Sequence, residues 1–403
     1  MTKRIFPALL FFVTASAGFA WDFGLVTQNS AEYSKTEDVT YTGSLLPWYS
    51  WTSAGKTFDL YLSGVFSAEY RDTRKDNDKD PWKLIPEAGR AEFALTLPGA
   101  SLSLGRIQFT DTADLVASGL FDGVNASFIL GETRLEAGAY YTGFLYTQTA
   151  EITMTTLDYI EYNDADQYFA PRRAFAALNW DIPAFLGDRN SLSLGGLAQF
   201  DLRDKDDKDS LDSQYGLVKF VLAPAPGLSV HLAGAAGFVQ YEDLSNTNMA
   251  ASLLISWELP EGLEDRLNAG AKWGSGIVNE DIGAFTPMTI HALGKVFDPS
   301  LQGMMTANLG YEARLLRSLS LTLEGTYFLR TDLKTFTDPE GELDPASDSH
   351  ALGAEFYASL IWASASDLSF IAGGGMFFPK LGGAFVSEAK PRWLVSAGMI
   401  VSF

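Results

Sequence analysis

The chain has 403 residues, of which 47% are hydrophobic and 13% aromatic, and its formal net charge is −21. It contains no cysteine, which excludes disulfides, thiol catalysis and cysteine-based metal sites. The acidity, and the lack of a basic patch interleaved with aromatic residues, exclude nucleic acid as an expected partner.

The first twenty residues have the organisation of a secretory signal peptide. Lys3 and Arg4 precede an apolar run over 5–13, and small residues lead up to Ala20. The run is shorter than the roughly 20 residues that a membrane-spanning helix needs, so an N-terminal anchor is a weak alternative. We predict a signal peptide over 1–20, whose removal changes the formal charge from −21 to −23.

Beyond this segment, apolar and polar residues alternate in about 18 stretches of the length that a tilted strand needs to cross a bilayer. The stretches lie at 22–33, 39–52, 56–71, 82–97, 100–109, 119–130, 132–146, 171–181, 190–203, 213–223, 227–241, 246–258, 264–276, 302–314, 317–332, 348–363, 367–378 and 391–403. No linker divides the chain, so we predict one domain over 21–403.

The connections between these stretches alternate in length. Short turns such as Pro98-Gly99 mostly follow even-numbered stretches, and long polar loops such as 147–170 mostly follow odd-numbered ones. Outer-membrane barrels have short periplasmic turns and long extracellular loops. The pattern therefore predicts an even number of strands, with the N- and C-termini both in the periplasm.

The two faces of the stretches differ in polarity. In 317–332, Leu319 and Leu323 share one face, and Thr322 and Glu324 share the other. A lipid-facing Arg or Lys near the bilayer midplane costs about 2–4 kcal/mol, so the apolar face is expected to contact lipid. The predicted fold class is all-β: a transmembrane, antiparallel, up-and-down β-barrel of about 18 strands, with 16 or 20 as alternatives.

The positions of four tryptophans support this prediction. They lie near the ends of even-numbered stretches, as an aromatic girdle at one membrane interface would: Trp51, Trp180, Trp257 and Trp362. The stretch 277–301 is long and moderately apolar, so it either folds into the lumen or supplies two further strands.

The last eleven residues, Trp393 to Phe403, alternate between an apolar face and a small or hydroxylated one. This ending resembles the closing strand of bacterial outer-membrane β-barrels, whose assembly machinery reads a terminal Phe. The resemblance implies that Phe403 is an assembly signal. It also implies outer-membrane lipid and the barrel assembly machinery as partners.

A second resemblance lies inside the chain. Leu104-Gly105-Arg106, followed after fourteen residues by Phe121-Asp122-Gly123-Val124, resembles the fifth and sixth strands of bacterial porins and alginate-export-like barrels. In porins the intervening loop folds inward and narrows the pore. The resemblance implies that 110–118 does so here and presents Asp111 and Asp114 to the lumen.

The inward face predicted from the alternation carries nearly balanced acidic and basic residues, so most of the negative excess lies in loops. We also expect Gly105 to shift the register so that Ile107 and Phe109 face outward. The acidic and basic side chains of this inward face either form a transverse field across a pore or pair to stiffen a filled wall. The residues predicted to line the pore are Arg90, Glu92, Arg106, Asp111, Asp114, Arg134, Glu136, Arg173, Lys272, Glu312 and Arg314.

Other chemistry is poorly supported. The charged loops 71–80 and 203–209 are typical of solvated surface, although Asp76, Asp78 and Asp80 have ligand-like spacing for a divalent cation. The chain has only three His, and none forms a catalytic constellation in the sequence. We therefore predict no enzyme, no cofactor and no metal.

The sequence predicts a porin-like channel in the bacterial outer membrane, passing small polar solutes through a mixed-charge lumen narrowed by infolded loops. The alternative is a structural or adhesive surface barrel with a closed lumen. A homotrimer is a further candidate assembly.

Overall fold

The structure is a computed structural model that describes residues 19–34, 39–72, 81–164, 166–203, 210–241, 244–259, 264–277, 283–338 and 341–403. Residues 1–18 of the predicted signal peptide lie outside the described residues. So do the Asp76, Asp78 and Asp80 spacing and most of the second charged loop.

The described residues form eighteen antiparallel strands that close into one barrel. Each strand pairs with its two neighbours in sequence, and β1 also pairs with β18. This confirms the predicted fold class and excludes the alternatives of 16 and 20 strands. The strands are β1 Phe19–Ser34, β2 Val39–Ser53, β3 Phe58–Asp72, β4 Trp82–Leu97, β5 Ala100–Thr110, β6 Ser118–Leu130, β7 Thr133–Tyr141, β8 Arg173–Pro183, β9 Ser191–Asp201, β10 Leu211–Ala225, β11 Leu228–Tyr241, β12 Leu244–Glu258, β13 Arg266–Gly274, β14 Met304–Leu316, β15 Leu319–Arg330, β16 Ala351–Ala365, β17 Leu368–Phe378 and β18 Arg392–Ser402.

The connections differ at the two ends of the barrel. One end, the short-turn end, carries the connections that follow even-numbered strands, and the other, the long-loop end, carries those that follow odd-numbered strands. The connection after β7 holds two short helices, α1 Thr147–Ala150 and α2 Thr156–Asn163, and a 3-10 turn over Pro379–Leu381 follows β17. In the described part of the chain, none of the helices has the length and apolarity needed to cross a bilayer.

The outer face of the barrel is apolar. Trp180, Trp257 and Trp362 are each at least 42% exposed close to the short-turn end, where an aromatic girdle was predicted. Exposed leucine and phenylalanine side chains cover the wall between the ends, for example Leu309 and Phe66. In water this surface would be an aggregation hazard, whereas in a bilayer it contacts acyl chains.

Much of the lumen near the long-loop end is filled. Two clusters of buried apolar side chains combine wall residues with residues of the infolded loops. The first cluster lies against β5–β12 and includes Ile107, Leu115, Val116, Phe121, Ile152, Met154, Phe175, Leu197, Tyr215, Phe285, Met288 and Leu301. The second lies against β14–β18 and includes Phe297, Met304, Phe328, Leu352, Phe377 and Phe385. The stretch 277–301 therefore folds inward and adds no strand among its described residues.

The remaining sector of the wall is uncovered. None of the described side chains of β1, β2 and β3 is buried, whereas each strand of β5–β12 and β14–β18 has at least one buried side chain. We call this sector the open side. It consists of β1–β3 and the adjoining half of β4 that lies at the short-turn end. The inner wall of the open side therefore carries no buried side chain among the described residues.

Candidate functional site: the lumen and its infolded loops

The β5–β6 hairpin leaves the barrel wall. The pairing of β4 with β5 ends at Ala91 and Arg106, and the pairing of β6 with β7 ends at Asp122 and Tyr141. The tip of the hairpin, from Ile107 to Phe121, therefore has no strand neighbour on either side among the described residues. It can bend inward, as the porin resemblance implied for the loop at its end.

Gly105 stands at the start of this bend. Its φ is +112°, and a Cβ there would lie 2.1 Å from the carbonyl oxygen of Ala91, so no other residue fits without a backbone shift. The ladder between β5 and β6 nevertheless runs without a break. The predicted register shift at Gly105 is therefore wrong, because strict alternation and the inward bend place Ile107 and Phe109 in the buried lumen cluster.

The loop 111–117 is organised by its first carboxylate. The side chain of Asp111 accepts hydrogen bonds from the backbone N–H groups of Ala113 (2.8 Å), Val116 (2.7 Å) and Ala117 (2.8 Å). It is 5% exposed, so it fixes the loop and does not line the pore, contrary to the prediction. Asp114 is exposed at the tip and is the acid that this loop presents to the lumen.

Arg106 also departs from the prediction. It is 8% exposed, and its guanidinium donates to both carboxylate oxygens of Asp122 (2.9 and 2.8 Å). It also donates to the carbonyl oxygens of Ala88 (2.7 Å) and Phe144 (2.9 Å). Alternation puts it on the face of Leu104, which is exposed on the outer side. Arg106 therefore ties the bend to β4 and to the loop 142–172, away from the pore.

The loop 142–172 covers the part of β4 that β5 leaves unpaired. The hydroxyl of Tyr168 donates to the carbonyl oxygen of Pro86, and the hydroxyl of Thr149 donates to Glu87 at 3.0 Å. The ammonium of Lys83 lies 5.7 Å from the ring centre of Tyr146. An exposed sheet edge is a liability, and this loop covers the edge and donates a hydrogen bond to the carbonyl oxygen of Pro86.

A buried network of charges holds the same loop to the wall. Arg173 is fully buried and contacts Asp158 at 2.7 Å and Asp201 at 3.1 Å. Arg203 contacts the same two carboxylates, at 3.1 and 2.6 Å. Asp158 also completes a capping box with Thr155 at the start of α2. Arg173 was predicted to line the pore; with no exposed surface it instead fixes α2 to β8 and β9.

A single carboxylate fixes the loop 283–303. Glu355 on β16 accepts hydrogen bonds from the backbone N–H groups of Lys295 (2.7 Å), Val296 (2.9 Å) and Phe297 (2.7 Å). It is 3% exposed. This role was missed from the sequence, because no local pattern links Glu355 to three amides about sixty residues away.

Arg392 stabilises the last two long loops. Its guanidinium donates to both carboxylate oxygens of Asp338 at 2.8 Å and lies 5.5 Å from the ring centre of Phe297 and 5.6 Å from that of Phe385. A charge in this buried apolar cluster is tolerated because it is paired and stacked on aromatic rings. The connections after β15 and β17 are thus joined inside the barrel.

Eight of the eleven predicted pore-lining residues lie where the lumen is not filled by buried side chains. They are Arg90, Glu92, Asp114, Arg134, Glu136, Lys272, Glu312 and Arg314. Two of these arginines form ion pairs with nearby glutamates: Arg134 contacts Glu136 at 2.5 Å, and Arg314 contacts Glu264 at 2.9 Å. Ion pairs therefore account for part of the charge on this wall.

Three elements bring charge together beneath the infolded loops. Burial lowers the pKa of His291 on the loop 283–303; the Asp114 carboxylate opposes this, and the Lys272 ammonium adds to it. Next to Lys272 a cavity of about 200 Å³ is lined by polar groups that include Lys295, Asn308 and Glu324. The acidic tip of one infolded loop and a basic residue of the wall thus both act on His291.

The described residues contain no group of three or more His, Asp or Glu side chains that could hold a metal ion. His350, which adjoins Asp348 and Ser349 in the sequence, directs its Nδ1 to the carbonyl oxygen of Arg330 at 2.8 Å.

Comparison with solved structures identifies similar barrels. The outer membrane protein opdK from Pseudomonas aeruginosa is 10% identical, with a TM-score of 0.62 over 95% of this chain and 99% of that chain. OccK11 (OpdR) from the same organism is 13% identical, with a TM-score of 0.60 over 96% of this chain and 97% of that chain. A variant of OccD1 (OprD) is 14% identical, with a TM-score of 0.58 over 95% of both chains.

This chain has the 18-strand barrel fold of those outer-membrane porins. No protein-family model matches the sequence, and no curated protein matches it.

Proposed function

We propose that the protein is a channel of the bacterial outer membrane through which small polar solutes diffuse. The observation that carries this proposal is the open side: a closed barrel whose outer face is apolar keeps one sector of its polar inner wall free of buried side chains. Barrels of 16–18 strands enclose an aqueous bore unless loops fill it completely.

The similar structures support the same assignment. Their fold agrees with this chain over almost the whole length of each, and they are outer-membrane porins. The apolar belt with its tryptophan girdle supports lipid as the surrounding partner. The predicted signal peptide over 1–20 and the terminal Phe403 fit export and barrel assembly, with the short turns in the periplasm.

The solutes that suit this lumen are polar and small. Asp114 on one infolded loop and Lys272 on β13 both lie close enough to His291 to act on it electrostatically, and charges of opposite sign on different elements create a field in the lumen. Infolded loops restrict the width at the same level. Large or apolar molecules are disfavoured by both properties.

A specific observation also favours the second candidate, a surface barrel with a closed lumen. The two buried clusters fill much of the lumen near the long-loop end, against the strands from β5 to β12 and from β14 to β18. Under this alternative the loops serve adhesion or wall stiffness, and no solute crosses.

Planar-bilayer recording of the refolded protein distinguishes the two candidates. A channel gives discrete conductance steps whose size depends on salt concentration. Replacing Glu355 with Gln weakens the hold on the loop 283–303, so we expect larger or noisier steps. Glu312→Gln is the matched control: it also removes a lumen carboxylate, but Glu312 accepts only from a wall asparagine in the described structure, so the noise of the steps should stay unchanged. A folded protein without any conductance would support the closed barrel.

We also propose a relationship to the alginate-export-like barrels and a homotrimeric assembly. The first is supported by the direct pairing of Arg106, the last residue of the first half of the shared motif, with Asp122, the second residue of its second half. The second is supported only by the likeness to porins. Cross-linking in outer-membrane vesicles tests it: monomers alone would contradict a trimer.

A further inference from the structure

Two aromatic rings lie on the inner wall of the open side. Trp48 on β2 and Tyr61 on β3 alternate with Leu45 and Leu62, which are exposed on the outer face. The planes of the two rings differ by 9°, and their centres are 6.4 Å apart. No described side chain of β1–β3 is buried, so this pair of nearly parallel rings borders the unfilled part of the lumen.

Trp48 extends along the wall. A Cβ at Gly24 on the neighbouring strand would lie 2.7 Å from the indole Nε1 and 2.8 Å from Cε2, so the ring occupies the space of a side chain there. An aromatic ring that covers a strand glycine can stabilise the sheet by itself. The polar groups that lie around the two rings are not needed for such stabilisation of the sheet.

Polar groups flank the rings. The guanidinium of Arg90 lies 5.3 Å from the ring centre of Tyr61, and its Nε donates to Glu92 at 2.6 Å. Glu92 is the cross-strand partner of Tyr61. Among the described residues no group accepts a hydrogen bond from the Trp48 indole N–H. The surface thus combines aromatic rings, donors and a carboxylate within one patch.

We propose that this patch, which we call the aromatic patch (Trp48, Tyr61, Arg90 and Glu92), is a binding site for neutral sugars that pass through the channel. A pyranose ring has an apolar face of C–H groups that can pack on an aromatic ring. Its hydroxyl groups both donate and accept, so they match a guanidinium and a carboxylate side by side. The inference rests on the proposed channel function and adds the class of solute.

Other solutes match the patch less well. A small inorganic ion cannot use the rings. An apolar molecule would displace water from the Arg90–Glu92 pair without replacing the hydrogen bonds that this water makes. A sugar uses both halves of the patch. Because binding need only be weak for passage, contact with one or two rings suffices.

Single-channel recording with maltose and glucose tests the proposal. We expect millimolar maltose to interrupt the wild-type current in a concentration-dependent way. Trp48→Ala should raise the half-blocking concentration by tenfold or more, and Trp48→Phe, which keeps an aromatic ring, should raise it less. Trp51→Ala is the matched control, because Trp51 lies three residues away on the other face and should leave the block unchanged.

The outcomes separate the two proposals. A conducting wild-type channel that maltose and glucose do not interrupt overturns the sugar site and leaves the channel function in place. Equal block in the wild type and in Trp48→Ala also overturns it. A folded protein that does not conduct overturns the channel function and the sugar site with it.

Discussion

Arginines that look equivalent in the sequence have different environments in the barrel. Arg134 and Arg173 both alternate with apolar residues at strand ends, yet Arg134 is 55% exposed in its side chain and Arg173 is fully buried. The alternation of apolar and polar residues along a strand predicts which face of the barrel a side chain occupies. How deeply that side chain is buried depends on the segments of the chain that fold over it. For Arg173 that covering is α2 with its buried Asp158.

This difference leads to a prediction for Arg173→Ala. Removing one member of a buried ion network leaves carboxylates without their charge partner and costs about 3–5 kcal/mol. We expect a large fall in resistance to urea and faster proteolysis of the loop 142–172.

Arg134→Ala is the matched control, because an exposed ion pair contributes about 0–1 kcal/mol. Urea titration in detergent, followed by tryptophan fluorescence, measures both variants. Equal stability losses would show that the network around Arg173 does not hold the loop.

At the scale of elements, the infolded loop 283–303 contains a carboxyl group that titrates near neutral pH. Burial and the nearby charge of Glu355 raise the pKa of Asp298 from its usual 3.8 to about 6, although Lys295 opposes this. Burial, followed by the charge of Asp298, also raises the pKa of Glu151 on the loop 142–172. The docking of these loops against each other therefore favours protonated carboxyl groups.

The sign of the pH effect follows from this shift. A carboxyl group whose pKa is raised on folding contributes most to stability below its unfolded pKa, and the contribution is lost as pH rises through the folded value. We expect the loop 283–303 to be docked more tightly at pH 5 than at pH 7.5. The conductance should then be smaller and quieter at the lower pH.

Asp298→Asn should remove most of this pH dependence between pH 5 and 7. Asp367→Asn, in the short turn after β16, is the control and should leave it unchanged. Bilayer recording across the pH series measures the effect. An Asp298→Asn channel that keeps the wild-type pH profile would contradict the role of this carboxyl group.

At the scale of the whole molecule, the ends of the chain close the barrel. The amide of Phe403 donates to the carbonyl oxygen of Leu25 at 2.9 Å, and its carbonyl oxygen accepts from the amide of Leu25 at 3.2 Å. The Phe403 side chain is 76% exposed. The backbone of the last residue thus completes the sheet, while its ring remains available for recognition.

The two parts of Phe403 can be separated by Phe403→Ala. The substitution keeps both backbone hydrogen bonds, so the refolded barrel should have nearly wild-type stability. The amount assembled in the outer membrane of an expressing bacterium should fall severalfold if the ring is an assembly signal. Ser402→Ala serves as the control in the same membrane fractionation. Wild-type assembly of Phe403→Ala would contradict that role.

The sequence by itself determined the barrel and most strand bounds. The predicted stretch 82–97 coincides with β4, and the predicted end at 146 for β7 is the largest deviation, because β7 ends at Tyr141. Side-chain alternation and turn length are local properties, so they can be read without knowing distant contacts. A closed sheet then needs no further information, since each strand pairs with the next.

Only the tertiary structure decided which polar side chains meet water. Arg106 and Arg173 are buried against the loop 142–172, Asp111 is enclosed by the amides of its own loop, and Ile107 turns inward with the hairpin tip. Glu355 binds amides of a loop that no neighbouring sequence identifies. Period-two alternation distinguishes two faces of a strand. Whether the inner face is covered depends on hydrogen bonds and ion pairs between distant residues, which a local pattern does not contain.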